Sequence, residues 1–511
     1  MMRTSFAILA AIIPLTFTFG ASVENLLPRN TTQKQDLTPA QCCDGLKRIL
    51  DPSKVLLPGS PEYAAQEASY YSGEQVLQFP VCRVAPTSPE DVSSIIKFAT
   101  TSNCNFAVRS GGHMNWVGSS NIGPEGFTID LEDMKQIELL DDSKTVAISP
   151  GLTWADVYTF LRPHNLHTAG GRSSHVGVGG FLLGGGISFL SLEHGFGSDN
   201  IINYQIVLAD GSIVNANEAE RSDLYWALKG GSTNYGIVTR FDMATFPLDQ
   251  MWGGSLYYNI SLGPTLLDYL VGFTERLAVD ANGLFALSIA WNAANNDYLI
   301  WSPNAYLAPT PFPSPLYDGL EEIPTVRDTM RITNLVSVTD EINMSSPGGS
   351  RTQWFALVFK ADATLPWDIY QKGADIMAPF LGKEGTSWAL TLQPINVGMI
   401  AAAANRGGNP FGLTEKDGDL FLLLISIFWT DPEDDGKIKA TTQDFLRWST
   451  DTAKQRNLLN RFIYLNYALD TQPVLASFGD ENVRRMKAVQ KKYDPKGLLK
   501  VWKGGYKLDE V

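Results

Sequence analysis

The 511-residue chain is short of several things, and each shortage excludes something. It has four cysteines, Cys42, Cys43, Cys82 and Cys104, all in the first quarter. Their spacings match no zinc pattern, so no metal is expected. Four cysteines allow three pairings, and one disulfide plus two buried thiols is an equal reading. In an oxidising compartment they would staple the N-terminal region. A basic excess is also missing. Lys and Arg number 40 against 54 Asp and Glu, a net charge of −14. Nucleic acid is thereby excluded as a partner, because phosphate binding needs a basic face. Beyond the N-terminus no apolar run is long enough to cross a bilayer, so no membrane role is expected. There is no internal repeat and no low-complexity tract. Histidines number only five.

What is present is a large apolar fraction, 44 %, with 18 % charged residues, which suits a globular protein of two or three lobes. The opening residues run "MMRTSFAILAAIIPLTFTFGAS". Arg3, the short apolar run Phe6 to Phe19 and the small residues Thr18 and Gly20 fit a signal peptide over 1–20. Three Asn-x-Ser/Thr triplets, at Asn30, Asn259 and Asn343, fit glycosylation on a secretory route. The expectation is an exported monomer.

Residues Ser22 to Ala40 read as a polar lead-in. In "FPVCRVAPTSPEDVSSIIKFATTSN" a strand precedes a helix capped by Ser88, with Pro89 at its first position and Val92, Ile95, Ile96 and Ala99 on its apolar face. "NFAVRS", "GFTIDLEDM" and "KTVAIS" are further strands, and Thr153 caps a helix. Asp210-Gly211 marks a hairpin. "DLYWALKGG" is a helix stopped by glycine, with Tyr225 and Trp226 in the core. From about Asp249 the texture changes to proline clusters and long apolar strands such as "DLFLLLISIFW". The expected boundaries are 21–77 for the lead-in and start of a first domain, 78–248 for its body, 249–459 for a second domain, and 460–511 for a C-terminal segment.

Two stretches carry chemistry. "VRSGGHMNWVGSS" sets Arg109, Ser110, Gly111, Gly112 and His113 in one loop. Without Cβ atoms, backbone N–H groups there converge on one point and suit phosphate oxygens, with Arg109 adding charge. "HVGVGGFLLGGGISFL" has too many glycines for a plain helix or strand, so close approach to a flat ligand is expected. It is not a nicotinamide fingerprint, because Leu182 stands where a third glycine is needed. His164 and His167 lie three apart but lack a third ligand. His175 stands beside the glycines, and His194 before Gly195 reads as a turn residue.

The order "FAVRSGGH", "GGRSSHVGVGGFLLGGGISF", "DLYWALKGGSTNYGIVTRF", "YLNY" and "KYDP" resembles the secreted FAD-linked oxidases of the berberine bridge enzyme type, in the vanillyl-alcohol-oxidase superfamily. The resemblance covers nearly the whole mature chain and is nearest to fungal members. It implies an α+β fold: a two-part FAD-binding domain of the PCMH type, and a substrate domain whose antiparallel sheet is covered by helices. It implies FAD held by Arg109, Ser110, Gly111, Gly112, His113, Val176, Gly177, Gly179, Gly180, Gly184, Gly185, Gly236, Val238 and Asn466. By match, His113 bonds covalently to the flavin. A second tether, a cysteine in many members, is replaced by Ser173, so a single link is expected.

Val176 matches the family's oxygen gate, and valine there favours reaction with dioxygen. Tyr467 matches a catalytic base. On the strand before it Ile425 stands where some relatives carry a polar or acidic residue, so a second base is not carried over. The implied function is oxidation of a small organic substrate, with dioxygen as acceptor and hydrogen peroxide as product. The alternative is a non-redox cyclase or isomerase that retains flavin.

Overall fold

In the computed structural model, residues 36–293, 296–345 and 348–511 are described. The expected signal peptide, most of the lead-in and Asn30 lie outside them. The lead-in ends sooner than the sequence suggested, because Thr38 caps a helix that starts at Pro39.

Local signals act where they were read. Ser88 Oγ accepts from the Asp91 amide and opens the helix Pro89–Ser102, which buries Val92, Ile95, Ile96 and Ala99. Thr153 and Asp156 form a reciprocal capping box for Trp154–Leu161. Strands Ile201–Val207 and Ile213–Asn217 pair antiparallel across Asp210-Gly211.

Three larger sheets organise Leu37–Val511, which holds together as one unit. In the first, strands Arg83–Val84, Phe127–Asp130 and Phe106–Arg109 run parallel, with Val55–Leu56 antiparallel at the edge. Helix Pro39–Ile49 is stapled to it by Cys42–Cys104 and Cys43–Cys82, whose Cα atoms lie 6.0 and 6.2 Å apart. The second is antiparallel, in the order Ile137–Leu140, Thr145–Ile148, Ile237–Ala244, Ile201–Val207, Ile213–Asn217. The third, of ten strands, draws only on Met251–Asn460 and is antiparallel in every pairing.

The period-2 alternation of the third sheet decides what faces the site. Ala290, Ala389, Ser426 and Trp354 are register partners on four neighbouring strands and share one face. One residue along, Ile289, Leu390, Ile425 and Phe355 point the other way. There Phe355 meets Phe445 of helix Asp435–Gln455 edge to face at 5.5 Å. A side chain such as Ile425, 0 % exposed, contributes about 1.5–3 kcal/mol by leaving water.

The C-terminal residues pack back on the first half. The Lys503 amide donates to the Phe106 carbonyl, and the Tyr506 amide donates to Ser232 Oγ. We keep the boundaries at 78–248, 249–459 and 460–511 as a proposal about lobes, supported by this segregation of strands.

Candidate active site

Strand Phe106–Arg109 delivers the loop Ser110–Met114. Gly112 has φ +63°, a left-handed turn, and its carbonyl accepts from the Tyr71 amide. Gly111 lies against Gly177 backbone to backbone. A Cβ on either would come within 2.5 Å of the other's Cα. Ser110 locks this crossing: its Oγ donates to the Pro150 carbonyl at 2.5 Å and accepts from the Gly179 amide at 3.2 Å. The two glycine-rich stretches, nearly 70 residues apart, are therefore one structure.

The crossing borders a cavity of about 430 Å³. Ser110, Gly111, Gly112, His113, Val176, Gly177, Gly179, Gly180, Gly184, Gly236, Val238, Asn466 and Tyr467 line it. A Cβ on Gly180 would meet nothing within 4 Å, so this residue leaves its side of the cavity open. Gly184 is different: a Cβ there would fall 2.0 Å from Asn466 Oδ1. Asn466 in turn donates to the Phe181 carbonyl and to the Tyr464 hydroxyl.

Two expected residues are elsewhere. Arg109 does not line the cavity. Its Nη1 donates to Asp130 Oδ2 at 2.6 Å and to Glu132 Oε2 at 3.1 Å, and its guanidinium lies over the Tyr70 ring. Asp130 also holds Arg83, so Arg109 belongs to a buried ion network beneath the loop. A buried carboxylate between two guanidiniums keeps both from the solvent side. Gly185 also misses the lining; it serves a turn at φ +103° against Phe411. The strand Leu420–Trp429 needs a correction of phase: Ser426 faces the cavity, whereas Ile425 faces the helices.

The His113 ring, half-buried, stacks on Tyr71 at 4.1 Å and 16°. Burial pushes its pKa down to about 4, with a smaller push from His175, so it is neutral at pH 7. Tyr467 ends the turn Leu465–Tyr467, and its ring meets Tyr464 edge to face at 4.9 Å. Burial, then the neighbouring Tyr467, raise the pKa of Tyr464 well above the ordinary phenol value. The Tyr467 oxygen accepts from Arg172 Nη2 at 3.0 Å and from Gln393 Nε2 at 3.5 Å. Arg172 Nη2 also donates to Gln393 Oε1.

Sequence reasoning missed Arg172, Gln393, Trp354 and Tyr71. Arg172 did leave a signal: it is the sole Asp, Glu, Lys or Arg between Pro163 and Leu192. Gln393 and Trp354 left none, because their role depends on strand register.

The remaining histidines stand apart. His167 Nδ1 bonds the Phe246 carbonyl at 2.8 Å, and His194 stacks on Phe246 at 4.2 Å. His175 bonds Asn343, which also accepts from Ser173 Oγ at 2.9 Å. Among the described residues no group of three His, Cys, Asp or Glu could hold a metal, and no helix is long and apolar enough to cross a membrane.

Comparison with known proteins adds the chemistry. Residues 80–217 match the FAD binding domain family. The chain is 33 % identical over 491 residues to the FAD-dependent monooxygenase drtC of Aspergillus calidoustus, covering 92 % of this chain and 91 % of that one. It is 34 % identical to the FAD-dependent monooxygenase prx3 of Penicillium roqueforti, covering 92 % and 94 %. Its fold is similar to that of 6-hydroxy-D-nicotine oxidase from Arthrobacter nicotinovorans, with a TM-score of 0.73 at 21 % identity over 89 % of this chain and 98 % of that one. It is also similar to xylooligosaccharide oxidase from Myceliophthora thermophila, at 0.72 and 20 %, over 90 % and 98 %.

Proposed function

This chain belongs to the FAD-linked oxidoreductases of the berberine bridge enzyme type, and from that premise we propose that it oxidises a small organic substrate held beside Tyr467, with dioxygen as the final acceptor. The observation that carries this reading is convergence. The two glycine loops, His113 and the Arg172–Gln393–Tyr467 cluster all open onto one cavity.

The walls fit FAD. Where Gly111 crosses Gly177 no side chain has room, and Gly180 leaves its side clear for a flat ligand. Ser110, Gly111, Gly112, Gly177 and Gly179 would hold the phosphates, and Gly180, Val238 and Asn466 the ring system. His113 would bear the one covalent link, since a neutral imidazole has a lone pair free to bond carbon. When bound, FAD supplies a two-electron acceptor that passes its electrons to dioxygen.

The chain's own residues do the rest. Tyr467 takes the substrate's hydroxyl or amine proton. Arg172, donating to the same oxygen, stabilises the negative charge that develops there and fixes the ring in place. Val176, on the cavity wall, leaves room for dioxygen to approach. Export fits the two disulfides, and the sequon at Asn259 is exposed for glycosylation. Asn343 is a poorer acceptor, because its amide is engaged by Ser173 and His175. We take the active form to be a monomer.

The names of the fungal relatives favour a second reading, insertion of one oxygen atom into the product. One experiment separates the two. Substrate is added to the holoprotein without air, bleaching is followed, and ¹⁸O₂ is then admitted. Bleaching followed by stoichiometric peroxide and unlabelled product supports the oxidase. Label in the product supports the monooxygenase. A bound flavin that no turned-over substrate bleaches supports the non-redox alternative.

A further inference from the structure

The chain has 54 acidic residues, and among the described residues none lies on the wall of the central cavity. Among the described residues, Arg172 is the only formally charged group there. Its Nη2 serves Gln393 and Tyr467, both uncharged acceptors. No carboxylate pairs with it, and no hydrogen bond from its Nε or Nη1 is present, among the described residues. A half-buried guanidinium whose protein partners are both neutral has N–H donors left for an anionic group of a ligand beside Tyr467.

The roof of the cavity limits the rest of that ligand. Trp301, Trp354 and Phe428 give it aromatic walls, and Ala290 and Ala389 open a shallow space between them. Polar readers on this roof are few: Ser288 and Thr391 bond each other at 2.9 Å across the strands, which leaves one of their two hydroxyl protons free, and Ser426 adds one more hydroxyl. The Gln393 amide is spent on Arg172 and Tyr467. A sugar ring carries a hydroxyl on nearly every carbon, and each one buried without a partner costs binding energy.

We infer that the substrate is a flat, mainly apolar molecule that presents an anionic oxygen to Arg172, and that it is not a carbohydrate. The oxygen belongs to a carboxylate or to an acidic phenol or enol. The inference rests on the reading of this cavity as the substrate site, and it sets the chain apart from the xylooligosaccharide oxidase that shares its fold.

Calorimetric titration of the holoprotein tests this without turnover. The probes are 2-naphthoate against 2-naphthamide, 4-nitro-1-naphthol against its methyl ether, and xylobiose. Wild type should prefer the anionic member of at least one aromatic pair by roughly tenfold or more, with no measurable xylobiose binding. The pair that shows the preference tells carboxylate from phenol. In Arg172→Met the preference should shrink to about twofold while the neutral members still bind; Arg172→Lys should keep part of it. Equal affinities in wild type, a preference that survives in Arg172→Met, binding of neither pair, or tighter binding of xylobiose would each overturn the inference. Bleaching and peroxide assays on the same preparation judge the oxidase reading separately. Anion preference without bleaching keeps this inference and removes that one; bleaching by xylobiose does the reverse.

Discussion

Nη2 of Arg172 lies 3.0 Å from the phenol oxygen of Tyr467, 295 positions further along the chain. The pair joins the glycine-rich stretch to the C-terminal segment at the point where a substrate would lose its proton. Tyr467→Phe should therefore lower kcat on the order of 10²- to 10⁴-fold with little change in KM. Arg172→Lys should cost less in kcat, because one donor is kept. Steady-state kinetics on any substrate that bleaches the flavin checks both. A Tyr467→Phe enzyme within about threefold of wild type would remove the phenol from the proton transfer.

His113 has a direct test in colour. After denaturation in acid, yellow should stay with the wild-type polypeptide and be released from, or absent in, His113→Ala. Release from wild type would remove the covalent link while leaving FAD binding open. A well-folded protein with no flavin at all would return the glycine loops to an unknown ligand.

Gly111 and Gly180 should respond in opposite ways to alanine. At Gly111 the new Cβ meets Gly177 at 2.5 Å, so the crossing must part at a cost of about 1–3 kcal/mol, read as a lower melting temperature. At Gly180 there is open space, so stability should hold within about 0.5 kcal/mol while flavin content falls. Equal melting temperatures for the two variants would contradict the backbone crossing.

Acid should weaken the fold through a buried histidine. Burial lowers His167 from 6.5 to about 4. The unfolded chain then binds more protons between those values, so stability is full above about pH 6.5 and declines as pH falls toward 4. For His167, which is 4 % exposed, the full effect is on the order of 3 kcal/mol. Melting curves from pH 4 to pH 8 should slope this way, and His167→Gln should flatten part of the slope even if it lowers the whole curve.

The disulfides close loops of 62 and 39 residues. Removing either pair, Cys42→Ser with Cys104→Ser or Cys43→Ser with Cys82→Ser, should cost about 3–4 kcal/mol by freeing the unfolded chain. Mass spectrometry of a non-reduced digest should recover the two linkages; a Cys42–Cys82 peptide would refute the pairing.

The sequence by itself determined whatever depends on near neighbours. Ser88, Thr153 and Asp210-Gly211 set caps and a turn within three or four residues, so their effects were readable. The motif order from "FAVRSGGH" to "YLNY" likewise carried the family and the cofactor class, because a glycine that admits a ligand cannot be replaced cheaply by another residue. Tertiary structure alone decided where long side chains end and which face a strand presents. Arg109 stands in the phosphate loop by sequence, yet Asp130, 21 residues on, draws its charge beneath it. In "FLLLISIFW" nothing local says whether Ile425 or Ser426 looks into the cavity; pairing with Trp354 and Ala389 fixes that phase. Among the described residues, Arg172 became the cavity's single cation only when the fold brought Gln393 and Tyr467 to it and left no carboxylate on the wall.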